Sequence, residues 1–171
     1  LLEKSPRLAW ATDTLNDVNG VSRTVTSAAT LARRRSLPLT VLACESRPPA
    51  ADFVCENFAP IWETPVPRYE ELTLRVPPAI EFIEHCEREN YGRMLISTPG
   101  PVGLAALAAA KLLGVPTAGI YHTDFPRYVA ALGGDGRLED LARSYIRWFY
   151  RQMDEVLVSS ATYAEELLAM G

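Results

Sequence analysis

The chain has 171 residues, of which 48% are hydrophobic and 22% are charged, and its formal net charge at pH 7 is −4. These values are typical of a globular protein with a substantial core and exclude a largely disordered chain. The negative charge, and the lack of a basic run interleaved with aromatic residues, argue against nucleic-acid binding. Because no stretch approaches the roughly 18 consecutive apolar residues of a membrane span, the sequence predicts no integral membrane domain.

Cysteine usage favours a reducing, cytoplasmic compartment. Cys44, Cys55 and Cys86 form an odd set with no CxxC spacing, and no signal peptide precedes them. His85 lies beside Cys86, but adjacent helical residues point about 100° apart and His122 is the one other histidine, so we expect no metal site. The chain begins without methionine and ends after a predicted helix, which leads us to expect a piece of a longer protein.

Two strands and a helix are predicted at the start of the chain. Leu8–Thr12 is a compact apolar strand, and a polar loop rich in turn-forming residues follows it. Ser22 is a suitable N-cap for a helix that ends in Arg33–Arg35, and Leu39–Cys44 forms the next strand. The arginines complement the negative end of the helix dipole; a site for phosphate or a lipid headgroup is the alternative explanation.

Prolines are frequent between residues 47 and 78 and exclude a long helix there. We expect short edge strands near Phe53–Val54 and Ile61–Trp62, with loop elsewhere. Pro78–Asn90 is then predicted to be a helix. Its inward-facing residues are expected to be Ile80, Ile83 and Cys86.

The centre of the chain alternates strand, helix and strand. Met94–Ser97 is an apolar strand, a helix begins at about Val102, and Thr117–Tyr121 is the next strand. This order predicts parallel strands and a right-handed crossover, so the loops at Gly100 and His122 open at one edge of the sheet. Ligands of parallel sheets bind at that edge. The alternative is that Gly100 only forms a tight turn and His122 only caps the following helix.

The last third contains a helix, a strand and a helix. Leu138–Met153 is predicted to be helical, Glu155–Ser159 to be a strand, and Ala161–Met170 to be the final helix. The apolar face of the first helix is expected to consist of Leu138, Leu141, Tyr145, Phe149 and Met153. On another face Glu139 can pair with Arg143, whereas Arg147 and Arg151 have no acidic residue four positions earlier. We expect a solvated surface, with contact to an anionic ligand or membrane as the alternative.

Three motifs, in order and spacing, resemble the amino-terminal half of family 4 glycosyltransferases. They are Thr12-Asp13-Thr14 with Val18–Ser22, Ser97–Leu104, and Tyr121–Tyr128. The resemblance extends over nearly the whole chain. It implies an α/β fold, with a Rossmann-like parallel sheet sandwiched by helices, which is the amino-terminal half of a GT-B fold. Residues 1–171 would form one acceptor-side domain, with the donor-binding carboxyl-terminal domain absent from this sequence.

The resemblance also implies an activity. The complete enzyme would transfer a sugar from a nucleotide-sugar donor, with retention of configuration, to a lipid, carrier or glycan acceptor. It would use no cofactor or metal, work with its own carboxyl-terminal domain, and be cytoplasmic or peripheral at a membrane; the fragment alone would be inactive. The alternative is a non-catalytic GT-B half that recognises a lipid, glycan or protein. An unrelated nucleotide-dependent enzyme lacks support, because neither GxGxxG after the first strand nor GxxxxGK[ST] occurs.

Site residues follow from the resemblance, motif by motif. Asn19, Gly20 and Val21 correspond to the loop beneath the donor diphosphate and beside the acceptor. A glycine there lets backbone N–H groups approach oxygen ligands without a Cβ in the way. His122 corresponds to the catalytic histidine at the cleft, and we expect it to position the donor sugar or acceptor rather than act as a base. The remaining substrate-binding residues implied by the motifs are Thr98, Gly100, Asp124 and Tyr128.

Overall fold

The computed structural model describes residues 6–17, 19–66, 69–121 and 136–169, and within these ranges it contains eight strands and five helices. The strands are β1 Leu8–Ala11, β2 Leu39–Ala43, β3 Cys55–Asn57, β4 Trp62–Val66, β5 Tyr69–Val76, β6 Arg93–Ile96, β7 Thr117–Tyr121 and β8 Glu155–Val158. The helices are α1 Gly20–Arg34, α2 Ala79–Glu89, α3 Pro101–Leu113, α4 Gly136–Arg151 and α5 Ala161–Ala169.

Six strands form one parallel sheet in the order β3-β2-β1-β6-β7-β8. Because all six run in the same direction, β1, β2, β6 and β7 end at one edge, which we call the carboxyl edge. The predicted Rossmann-like α/β class is confirmed. Gly20 and Gly100 both lie at this edge, since each follows a strand and begins or precedes a helix.

Helices cover both faces of the sheet because side chains alternate along each strand. Trp10 and Val41 point to the face covered by α1, where they pack with Val25. On the opposite face Met94 packs in a core that also contains Phe82 of α2. The residues contributed to that second core by α3 and α4 are Val102, Ala106, Ala109, Ile146 and Phe149. Burial of these apolar side chains from both directions holds the strands in register.

Two details of the predicted helices are wrong. The N-cap of α1 is Asn19, whose Oδ1 accepts the Ser22 N–H at 2.8 Å, while the Ser22 hydroxyl donates to the Leu15 carbonyl at 2.7 Å. In α2, Ile80 is 75% exposed and Phe82 is fully buried. Cys86 is buried as predicted and Ile83 packs, partly buried, against the same core, so the buried residues that the prediction missed are Phe82 and His85.

The segment predicted to be mostly loop contains an antiparallel hairpin. β4 and β5 pair from Trp62 with Val76 to Val66 with Tyr69, and the register shifts between Pro65 and Val66. The prediction missed β5 because it extended the effect of the prolines over the whole segment. Tyr69–Val76 contains no proline, so its ladder donors are intact.

Helix α4 follows the predicted range, and three residues of the predicted apolar face, Tyr145, Phe149 and Met153, pack in or against the core. Phe149 is buried as expected, together with Ile146, whereas Leu141 is 66% exposed. The predicted pair between Glu139 and Arg143 is confirmed, with Arg143 Nη2 at 2.7 Å from Glu139 Oε1. No helix in the described part of the chain is long and apolar enough to cross a membrane.

Candidate functional site

Helix α1 begins at the carboxyl edge with an open end. Its third and fourth N–H groups, from Ser22 and Arg23, donate to the side-chain and main-chain oxygens of Asn19. The N–H groups of Gly20 and Val21 have no acceptor among the described residues. A Cβ built at Gly20 would meet nothing within 4 Å. Free amides, the positive end of the helix dipole and open space together favour an anionic oxygen ligand.

Helix α3 begins at the same edge, but a side chain of the protein occupies its end. Asp13 Oδ1 accepts the Val102 N–H at 2.7 Å, and Asp13 Oδ2 accepts the Gly103 N–H at 3.2 Å. The Thr98 hydroxyl donates to Asp13 Oδ2 at 2.6 Å and accepts the Asp13 N–H at 2.9 Å. We call these residues the Asp13 latch. It joins the loop after β1 to the loop after β6.

Two glycines make room for the Asp13 latch. A Cβ at Gly100 would lie 2.6 Å from Asp13 Cγ, and one at Gly103 would lie 1.8 Å from the Thr98 carbonyl oxygen. Burial raises the pKa of Asp13, although the Thr98 hydroxyl and the α3 amides act in the opposite direction. The structure thus brings Thr98 and Gly100 together around Asp13, and their predicted contact with substrate remains a prediction.

Sequence reasoning included Asp13 in a motif but missed its role. The partners of its carboxylate lie 85 to 90 positions away. A lone aspartate in a polar loop carries no local signal of such contacts. The one available clue was Pro101 at the start of α3, which marks a helix N-terminus at a sheet edge where an anion is favoured.

A second polar network supports the loop that leads into α1. Glu45 follows β2 and is 2% exposed, and its Oε1 accepts the Asn16 N–H at 3.1 Å. The side chain of Asn57 holds the Glu45 main chain, donating to its carbonyl and accepting its N–H, both at 2.9 Å. Glu45 Oε2 lies 3.1 Å from Arg75 Nη1 on the β4–β5 hairpin.

Further charges surround Arg75. Its Nε lies 3.6 Å from Glu63 Oε2, and Asp17 Oδ2 is buried without a hydrogen-bond partner within the described ranges. Burial raises the pKa of Glu45 and of Asp17, and Arg75 lowers both. We call Asp17, Glu45, Glu63 and Arg75 the Arg75 cluster. In this cluster three carboxylates surround one guanidinium. One of them, Asp17, lies two residues before Asn19 in the chain.

The third predicted motif lies mostly outside the described residues. β7 ends at Tyr121 on the carboxyl edge, and His122, Asp124 and Tyr128 belong to the segment that is not described. The other histidine, His85, is a buried residue of α2, and its Nε2 lies 2.9 Å from the Tyr91 hydroxyl. Burial lowers the pKa of His85, as expected of a packed imidazole. In the described part of the chain, no group of three or more metal-ligating side chains is placed to hold an ion.

An apolar groove of about 610 Å³ lies between α4, β8 and α5, away from these loops. Tyr150, Val156 and Leu167 contribute to its walls, and Arg147 and Arg151 also border it. None of its lining residues comes from the loops after β1, β2 or β6. The two helix ends at the carboxyl edge, rather than this groove, therefore define the candidate functional site.

A parallel α/β sheet with an open helix N-terminus at its carboxyl edge is the architecture of proteins that bind nucleotides and other phosphorylated ligands. Comparison with known families makes the assignment specific. The model of Glycosyltransferase Family 4 matches residues 18–171, and the chain belongs to this family.

Curated relatives and a solved structure agree with this assignment. The chain is 32% identical over 107 residues to a sulfoquinovosyl transferase from Arabidopsis thaliana, a match that covers 63% of this chain and 21% of that protein. It is 28% identical over 165 residues to a GDP-mannose-dependent alpha-mannosyltransferase from Mycobacterium tuberculosis (strain CDC 1551 / Oshkosh), covering 92% of this chain and 42% of that protein. The chain thus spans less than half the length of these relatives.

The crystal structure of a protein described as a UDP-N-acetylglucosamine 2-epimerase from Listeria monocytogenes has a similar fold. It superposes with a TM-score of 0.55 at 11% sequence identity, covering 96% of this chain and 42% of that one. At this identity the likeness concerns the fold alone.

Proposed function

We propose that this chain is the acceptor-side half of a glycosyltransferase active site. The complete enzyme transfers a sugar from a nucleotide-sugar donor to a lipid-linked, carrier or glycan acceptor with retention of configuration. Family membership and the two transferase relatives support the reaction class. The observation that carries the site is the open N-terminus of α1, where the Gly20 and Val21 amides have no acceptor among the described residues.

In this proposal the α1 end binds the donor diphosphate. The two amides donate to phosphate oxygens, and the helix dipole stabilises the charge that grows on the diphosphate as the sugar leaves. Gly20 allows the close approach, because a Cβ would project into the open space that the phosphate fills. Backbone groups thereby supply the positive potential, and the proposed reaction needs neither a metal nor another cofactor. His122, which directly follows β7 in the sequence, is proposed to position the sugar or acceptor.

A second domain of the same protein would bind the nucleotide and close the cleft. One half of a cleft provides few donor contacts and cannot exclude water from the departing diphosphate. We therefore expect the isolated chain to transfer no sugar and to bind nucleotide-sugars more weakly than micromolar. Calorimetry with uridine and guanosine diphosphate sugars tests this, and micromolar binding by the chain alone would contradict it.

Gly20→Ala in the complete enzyme tests the site directly. The substitution leaves the fold intact, since nothing described lies within 4 Å of the new methyl group. We expect at least a tenfold loss of kcat/KM for the donor with an unchanged denaturation midpoint. An unaltered kcat/KM would contradict the diphosphate site. A complete protein that binds glycan or lipid but transfers nothing would support the alternative of a non-catalytic module.

His122→Ala in the same assay tests the third motif. Loss of one polar contact at a charged transition state costs about 10²–10³ in rate. We expect turnover to fall by that factor while stability changes by less than about 1 kcal/mol. Near-normal turnover with a large fall in the denaturation midpoint would make His122 a structural residue.

Helix α4 supports a proposal of peripheral membrane contact. Leu141 and Trp148 lie two turns apart and are 66% and 49% exposed, and neither Arg147 nor Arg151 pairs with a described carboxylate. Exposed apolar residues beside cations are typical of helices that lie on anionic membranes. Arg147→Glu/Arg151→Glu should abolish sedimentation with phosphatidylglycerol vesicles. Equal sedimentation of the wild-type protein and the double variant would exclude this face of α4 as the membrane contact.

A further inference from the structure

We propose that Arg75 is a positioning residue for the loop that carries Asn19 and Gly20. This inference rests on the proposed function of that loop as the diphosphate site. Arg75 belongs to the β4–β5 hairpin, which is not part of the parallel sheet. It reaches the loop through one intermediate, Glu45.

The contacts in this connection are short, and Glu45 at its centre is buried while Asn16 is exposed. Arg75 Nη1 faces Glu45 Oε2 at 3.1 Å, and Glu45 Oε1 accepts the Asn16 N–H at 3.1 Å. Asn16 is anchored again by its side-chain amide, which donates to the Arg47 carbonyl at 3.0 Å. Three residues later the chain reaches Asn19, which caps α1. The position of Glu45 therefore fixes where the loop enters the helix.

The charges explain why the connection needs an arginine. Glu45 is 2% exposed, and Asp17 and Glu63 add two more carboxylates around the Arg75 side chain, which is 16% exposed. With the guanidinium removed, Glu45 would be a buried charge without a cation and next to like charges. It would move toward water or take up a proton, and in either case its hold on the Asn16 amide would change.

The described contacts of the Arg75 nitrogens are ion pairs. Its Nε and Nη1 face carboxylates at 3.6 and 3.1 Å, yet neither nitrogen makes a hydrogen bond with a described residue. The Asp13 latch, by contrast, has direct hydrogen bonds from two amides and a hydroxyl. Arg75 therefore holds Glu45 by charge rather than by a well-formed hydrogen bond, and the hairpin residue Glu63 accepts the Ser46 hydroxyl beside it.

Steady-state kinetics of the complete enzyme tests the proposal with two variants. We expect Arg75→Met to raise KM for the nucleotide-sugar about tenfold while kcat changes less than threefold. We expect Arg75→Met/Glu45→Gln to restore KM to within about threefold of wild type. The neutral glutamine removes the unpaired charge, and its side-chain oxygen can still accept the Asn16 N–H.

Hydrogen exchange of the Asn16 amide provides a readout that is independent of activity. Exchange should be faster in Arg75→Met and return toward the wild-type rate in the double variant. Arg93→Met is the matched control, because it breaks another arginine–glutamate pair, with Glu155, at the opposite edge of the sheet. That control should leave both KM and Asn16 exchange unchanged.

The outcomes separate this inference from the function on which it rests. If Gly20→Ala raises KM but Arg75→Met leaves KM and Asn16 exchange unchanged, Arg75 does not position the loop. A KM defect that Glu45→Gln fails to relieve would also overturn the inference. If Arg75→Met changes Asn16 exchange while Gly20→Ala leaves kcat/KM unaltered, the loop is positioned as inferred but the proposed diphosphate site is wrong. If Arg75→Met does not fold, recovery of folding and KM in the double variant supports the inference, and failure of both overturns it.

Discussion

Helices α1 and α3 both begin at the carboxyl edge, but their N-termini are treated in opposite ways. At α3, proline supplies no N–H, Asp13 accepts the next two amides, and Leu104 donates to the Gly100 carbonyl at 2.9 Å. At α1, Asn19 satisfies two amides and leaves those of Gly20 and Val21 without a described acceptor. A helix end that the protein fills itself contributes to stability, and an end left open is available to a ligand.

The largest expected effect separates the glycines of the two ends. Gly103→Ala places a methyl group 1.8 Å from a backbone oxygen that cannot move without disrupting the Asp13 latch. We expect it to lower the free energy of unfolding by more than about 3 kcal/mol, as severe overpacking does. Gly20→Ala, with open space around it, should change stability by less than about 0.5 kcal/mol. Urea denaturation of both variants measures this difference. Comparable losses of unfolding free energy in Gly103→Ala and Gly20→Ala would show that the two helix ends do not differ in this way.

A smaller effect is expected from the latch carboxylate. Asp13→Asn keeps the shape but replaces one acceptor oxygen with an NH₂ group, which would face an amide donor of α3 or the Thr98 hydroxyl. The unmatched buried donors should cost about 2–3 kcal/mol of unfolding free energy. Asp13→Glu is the control that retains the charge but displaces it by one methylene. A stable Asp13→Asn protein would show that the α3 end does not need its anion.

The smallest effect concerns pH and the loop before α1. Burial raises the folded-state pKa of Glu45 above its unfolded value, so its contribution to stability is full below about pH 4 and is lost as pH rises through the folded-state pKa. Relative to Glu45→Gln, the wild-type protein should therefore become less stable as pH rises above the ordinary pKa of a glutamate, about 4.3. Asp17, Glu63 and Arg75 face the same side chain and are unchanged in both proteins. A difference in stability that does not vary with pH would contradict this sign.

The sequence was sufficient for the parallel sheet because its signals are local. Apolar runs such as Leu8–Thr12 and Thr117–Tyr121, separated by periodic helices, predict β-α-β units without knowledge of distant contacts. The hairpin was missed for an equally local reason. The prolines before Tyr69 led to a prediction of loop for the whole segment, although β5 itself contains no proline. Ile80 was placed inward because periodicity alone does not fix which stripe of α2 meets the sheet.

The candidate site was only partly predictable. Asn19 and Gly20 carry a turn signature that sequence reasoning can locate, and the structure places both at the open end of α1. The Asp13 latch and the Arg75 cluster join residues from separate elements, and a charge in a loop does not reveal its partner. Such contacts are decided by the sheet order, which brings β1 beside both β2 and β6.

The tryptophans give the carboxyl edge its own optical signal. Trp10 is 8% exposed, and its indole N–H donates to the Ser97 hydroxyl at 2.5 Å. Ser97 directly precedes Thr98 of the Asp13 latch. Trp62 and Trp148 are already 56% and 49% exposed. Loss of structure therefore changes the surroundings of Trp10 far more than those of the other two indoles. The red shift of intrinsic fluorescence on unfolding accordingly reports mainly on the strand end that supports the site, without an attached dye.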